Sequence, residues 1–192
     1  MEFPNEEAFL PDDYEVPKDE KFLKFKEPET KFRFLSSPVL GWVGWNSEKK
    51  PVRKRDRKEF RRGEVIEDAK NKIRHFWAAP VWNYKANRVQ LLEITQSSIQ
   101  GKIKNYAKDP DWGSPVAYDL KVIKKGDGMD TEYDVIALPK RDAGATIEDH
   151  WREAQKAGFN LAAIFGIQGD PFGDGHGAPP EDDSDIPFGN DR

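Results

Sequence analysis

The chain has no cysteine in 192 residues. That absence removes disulfides, thiolate nucleophiles and every zinc site that needs sulfur ligands, and it fits a reducing compartment. Apolar residues are also scarce: the hydrophobic fraction is 36% against a charged fraction of 34%, so the buried part must be smaller than the chain. No apolar run approaches the roughly 20 residues needed to span a bilayer. The N-terminus carries Glu2, Glu6 and Glu7 and is unlike a signal peptide. A soluble cytoplasmic protein without membrane contact is expected. The length admits one packed domain plus tails rather than two domains of about 100–150 residues each.

What is present is charge, and it is segregated. Residues 1–30 hold four Lys/Arg against ten Asp/Glu, whereas residues 31–104 hold eighteen against seven. Residues 105–140 are nearly balanced, with five against seven, and residues 141–192 turn acidic again, with four against eleven. The net charge of −4 therefore conceals a basic body between acidic ends, the pattern of a polyanion-binding surface with competitors built in.

Residues 1–20, rich in acid and proline, read as a flexible arm. Lys21 to Lys26 and Lys31 to Leu35 alternate around Glu27-Pro28-Glu29 and predict a hairpin. Val39 to Trp45 predicts a strand in which Gly41 and Gly44 mark a bend, a bulge or a close backbone approach. Residues 49–62 place nine Lys/Arg in fourteen positions and must be exposed. Ile73 to Tyr84 with Val89 to Ile94, and Tyr118 to Ile123 with Glu132 to Leu138, predict two further hairpins. Between them Thr95 is placed to cap a helix running to about Lys108, ended by Pro110. Thr146 and Asp149 resemble a capping box for a second helix over Ile147 to Ala157. From 167 to 192 the chain is Gly-, Asp- and Pro-rich and reads as a disordered acidic tail. The expected fold is mainly β: a small Greek-key barrel over residues 21–140 with one inserted helix, then a C-terminal helical segment over 141–166.

Binding an unpaired strand takes cations for phosphates and flat side chains for base faces, at about 1–3 kcal/mol per stacked base. The middle of the chain interleaves both. Strand alternation puts Arg74, Phe76, Trp82 and Tyr84 on one face and Ile73, Trp77 and Val81 on the other. Either face could be core, because aromatic rings fill cores as readily as binding surfaces. The basic run, including Arg53, Lys54, Arg55 and Arg57, could equally be a solvated loop. No basic recognition helix of the duplex-reading kind stands out.

The runs Lys31-Phe-Arg-Phe-Leu-Ser-Ser-Pro-Val-Leu-Gly-Trp42, Lys50-Pro-Val-Arg53, His75-Phe-Trp-Ala-Ala-Pro-Val-Trp82, Val89-Gln-Leu-Leu-Glu-Ile94 and Trp112-Gly113 resemble phage-encoded single-stranded DNA-binding proteins with an OB-fold. The likeness covers roughly residues 20–140. It implies a protein that coats single-stranded DNA with little sequence preference during phage replication, recombination and repair, in the host cytoplasm. It also implies a groove drawing on Trp45, Arg53, Arg74, Phe76, Trp82 and Tyr84. With these go Trp77 and the phosphate-holding cations Lys54, Arg55, Arg57, Lys85 and Arg88. The tail is similar to the acidic tips of such proteins: Asp182, Asp183, Asp185, Ile186, Pro187 and Phe188 would dock on replication or repair enzymes, although Gly189-Asn190-Asp191-Arg192 follow where the usual tip ends. A tethered acidic tail would also compete with DNA for the basic groove.

Two other chemistries have weaker sequence support. Pro110-Asp111 followed by Asp119-Leu120-Lys121 matches the loose pattern of metal-dependent nucleases, and is read more simply as a helix stop and the outward residues of a strand. His150 and His176 lie near acids without a ligand pattern. No enzyme activity, metal or cofactor is expected. An RNA-binding, cold-shock-like barrel would use the same groove physics.

Overall fold

The computed structural model describes residues 21–173. The strands are β1 (Phe22–Leu23), β2 (Glu29–Phe34), β3 (Val39–Trp45), β4 (Pro51–Lys54), β5 (Arg74–Asn83), β6 (Arg88–Ile94), β7 (Leu120–Lys125) and β8 (Glu132–Ala137), and the helices are α1 (Ser97–Lys108) and α2 (Ala145–Lys156). The strands form a single sheet in the order β1-β6-β5-β2-β7-β8, with β3 attached to β5 and β4 to β3.

The ten-residue β5 organises the sheet. One edge pairs with β6 from Trp77 to Asn83, as the hairpin pattern predicts. The other edge is shared: Arg74 to Ala78 pair with β3, and Val81 to Asn83 pair with β2. β2 and β3 thus run as one long strand bent at Leu35-Ser36-Ser37-Pro38, with the Leu35 amide donating to the Pro80 carbonyl at 3.0 Å across the bend. The β7–β8 hairpin also forms as predicted, while the first predicted hairpin does not. β1 pairs parallel with β6, because Leu23 is buried beside Leu92, and β2 takes β5 and β7 as partners instead.

The expected Greek-key barrel does not close. Among the described residues β8 pairs only with β7 and β1 only with β6, so the sheet stays open. The reason lies in α1, which covers the outer edge of β8. The Leu138 amide donates to Asp119, so alternation turns the Tyr133 and Val135 carbonyls away from β7. Lys102 Nζ donates to Tyr133 O at 3.2 Å and Tyr106 Oη donates to Val135 O at 3.4 Å. The outward Val135 amide is taken by Asp134 Oδ1 at 2.9 Å. Side chains thus occupy edge groups that a closing strand would use.

Both faces of the β5–β6 hairpin are buried, each by alternate residues. Ala79 and Val81 join Phe32, Phe34, Ile99, Ile103 and Leu120 beneath α1. Phe76, Ala78 and Leu91 face the other way and are covered by Ile164, Phe165 and Phe159 of the segment after α2. Packing continues past the expected end of order: Pro171 is buried, Phe172 lies edge-on to Phe159 at 5.0 Å, and Asp170 forms an ion pair with Lys21. Gly41 is required here because an added Cβ would sit 2.6 Å from Phe165 and 2.7 Å from the Lys54 carbonyl oxygen. Neither helix uses its predicted cap: α1 starts behind Gln96, and α2 behind Gly144, whose φ of +91° favours glycine. The acidic N-terminal arm and the tail motif Asp182 to Phe188 lie outside the described residues.

Candidate nucleic-acid interface

β3 and β5 build a small aromatic array on the face that also carries α1. Their register sets Leu40 opposite Trp77 and Trp42 opposite His75, so all four side chains emerge on one side, with cross-strand partners about 4.5–5.5 Å apart at Cβ. The Trp42 and His75 rings lie 5.1 Å apart at 54°. None of the four is fully buried, and Leu40 is 53% exposed.

Two elements wall this floor with cations. On one side the predicted basic loop is partly ordered: it contributes β4 and then a one-turn helix at Arg57–Glu59, closed by a capping box from Asp56. The following loop folds back over β3, with Val65 so close that a Cβ added at Gly44 would lie 3.0 Å from it, and the Arg57 guanidinium stands 5.7 Å from the Trp42 ring. Lys54 stands opposite Trp42 and pairs with Glu64 at 2.9 Å. On the other side, Lys104 and Lys108 lie four residues apart on one flank of α1 and have no ion-pair partner among the described residues. Between α1 and the β2–β3 bend is a largely apolar cleft of about 440 Å³, lined by Phe34, Leu40, Trp77, Lys104, Lys108 and Val116 among others.

The predicted site residues other than Tyr84 separate into four groups. Trp77, Lys54 and Arg57 belong to this floor and its wall. Phe76 is fully buried against Phe165, and Trp82 is 3% exposed and edge-on to His150, so these rings are core and present no face to a ligand. The Arg53 side chain is largely internal, its Nε donating to Glu93 at 2.6 Å, and the exposed Arg55 lies 4.4 Å over the Phe165 ring. Trp45 and Arg74 are exposed on the reverse face of the sheet. Lys85 and Arg88 flank the turn at the far end of β5–β6, where Lys85 pairs with Glu27 at 2.9 Å.

Tyr84 belongs to a different construction. Its hydroxyl donates to Asp119 Oδ1 at 2.8 Å, and both Lys31 and Arg141 lie over its ring, at 4.2 and 5.8 Å. Asp119 also accepts from Arg33 Nη1 at 3.3 Å and from Arg141 Nε at 3.0 Å, with Lys31 Nζ at 3.3 Å. Burial pushes the Asp119 carboxyl up, but hydrogen bonds from Tyr84 and Arg141, the Arg141 charge and a hydrogen bond from Lys31 outweigh it and hold the group below its ordinary value. Burial and the bond to Asp119 raise the Tyr84 phenol. Asp119 is thus the acceptor of a buried ion network, and Lys121, the other half of the nuclease-like pattern, pairs with Glu29 at 2.7 Å. His150 Nδ1 lies 2.7 Å from the Thr146 carbonyl. No group of three or more potential metal ligands occurs among the described residues, and no helix there is long and apolar enough to cross a membrane.

Sequence reading missed Leu40, Trp42, His75, Lys104 and Lys108 as members of one surface. The strand alternation of β3 carried part of the signal, since Leu40 and Trp42 share a face. The position of α1 over that face left no trace in the local pattern.

No protein-family model matches the chain. No solved structure matches it. Among curated proteins, one from Escherichia phage T5 named "Probable ssDNA-binding protein" is 27% identical over 139 residues, an alignment covering 60% of this chain and 54% of that protein. The chain spans about half the length of this relative.

Proposed function

We propose that the chain binds single-stranded DNA along the Leu40–Trp42–His75–Trp77 face. The observation that carries this reading is the cross-strand array itself, a half-open aromatic floor between cations from two separate elements. Unpaired bases need ring faces and a hydrophobic floor, and their phosphates need cations at the margins; this face has both. A duplex keeps its base faces stacked inside and has no use for such a floor. The name of the phage T5 relative agrees with this reading.

In this reading Trp42 and Trp77 stack bases, and Arg57, Lys104 and Lys108 hold phosphates, joined by the exposed Lys58, Arg61 and Arg62. No base-reading constellation is invoked, so sequence preference is weak. The fold is best read as an OB-type barrel left open, with a long bent strand shared between two halves and a helix inserted before the last hairpin. Coating and protecting single strands in phage replication, recombination and repair is the role this implies, without catalysis. The acidic motif at 182–188 is the proposed docking point for replication or repair enzymes.

Intrinsic tryptophan fluorescence, titrated with a single-stranded DNA oligomer, its duplex and the matching RNA, tests the reading. Quenching by the single strand and weaker duplex binding are expected, and Trp77→Ala should cost about 1–3 kcal/mol of affinity. RNA bound more tightly than DNA would shift the assignment to an RNA-binding protein. No quenching and no binding would remove the function altogether.

A further inference from the structure

The β3–β4 ribbon carries an aromatic side chain on each face. Alternation along β3 sends Trp42 to the front and Val43 and Trp45 to the reverse, and the register sets Arg74 opposite Val43, on the same reverse side. Most cations of that side are occupied: Arg53 by Glu93 at 2.6 Å and Arg55 by the Phe165 ring at 4.4 Å. Trp45, by contrast, is 45% exposed, and the exposed Arg74 and Lys72 have no ion-pair partner among the described residues. The ribbon tip between the two faces presents Lys49, also exposed and without such a partner. A lone exposed apolar residue is ordinary. An exposed indole one same-face step along the ribbon from an uncompensated arginine, joined by Lys49 at the tip to a second aromatic face, is the combination that takes a base and its phosphate.

We propose that a single strand lying on the front face passes around the ribbon tip at Lys49 and stacks one further base on Trp45, with Arg74 meeting its phosphate. Trp42 and Trp45 are separated by about 10 Å of strand, so a few nucleotides reach from one to the other. The subsite rests on the front-face reading above. It makes affinity depend on oligomer length in a way the front face alone does not.

The test compares oligothymidylates near the two ends of the usual site-size range, about 4 and about 16 nucleotides, on wild type, Trp45→Ala and Arg74→Gln. Expected is unchanged affinity of both variants for the short oligomer. For the long one, Trp45→Ala should lose roughly 5- to 150-fold. Unchanged short-oligomer binding also certifies that the variant is folded. Equal affinity of Trp45→Ala and wild type for the long oligomer overturns the reverse-face subsite and leaves the front-face reading standing. Equal loss for both lengths overturns it too, by assigning Trp45 to the front site or to the fold. A wild-type protein that binds neither oligomer removes the front-face reading and the subsite with it.

Discussion

Asp119 shows how one buried charge can be made tolerable. Its side chain is 1% exposed, and a lone carboxylate there would face a prohibitive desolvation cost; Arg33, Arg141, Lys31 and Tyr84 supply the compensating donors. They join β2, the end of β5, β7 and the stretch after β8. A carboxyl held below its ordinary value stabilises the fold above the unfolded group's pKa of about 3.9, and that contribution disappears as pH falls through the lower folded value. Asp119→Asn should therefore cost about 3–5 kcal/mol at neutral pH, by leaving the buried Arg33 guanidinium unmatched. It should also flatten the acid limb of the stability curve. Urea midpoints measured from neutral pH down to about pH 2 check both; parallel curves for variant and wild type would show that the network does not carry the acid sensitivity.

At the scale of elements, α1 does two jobs with opposite flanks. Lys102 and Tyr106 cap the outward carbonyls of β8, and Lys102 is held there by Asp134 at 2.5 Å. Lys104 and Lys108 border the aromatic cleft. An exposed strand edge with unpaired backbone groups is a template for association. Removing both caps, as Lys102→Ala with Tyr106→Phe, should lower stability by about 0.5–1.5 kcal/mol per lost bond and promote concentration-dependent association through β8. Light scattering over a concentration series reads this directly. A double variant that stays monomeric at every concentration would mean that the edge is protected by something else.

For the molecule as a whole, electrostatics should dominate binding although the formal net charge is −4. Attraction to phosphates is local, and the acidic residues concentrate at the chain ends, whereas the binding face draws on the basic middle. For single strands, log affinity falls with log salt at a slope of about −0.7 per phosphate contact, so Lys104→Gln with Lys108→Gln should reduce the slope by about 1.4. Titrations between about 50 and 200 mM salt measure it. An unaltered slope would move the phosphate path off α1.

Charge segregation, the absence of thiol chemistry, the strand limits of β3, the β5–β6 and β7–β8 hairpins and the approximate span of both helices are all legible in the sequence. Each depends on composition or on periodicity within about ten residues, where local sterics and solvation decide. The sequence also carries the two-sided alternation of β5, but not which side is left open. That depended on contacts far apart in the chain. Phe159 and Phe165 cover Phe76, and α2 covers Trp82, which turns two expected ligand-facing rings into core. α1 covers the β8 edge and keeps the sheet open. Glu93 and Asp119 claim Arg53 and Tyr84 from forty and thirty-five residues away. Burial and ion pairing are properties of the assembled tertiary neighbourhood, so only the folded structure could separate the rings and cations that build the protein from those that remain free to hold a ligand.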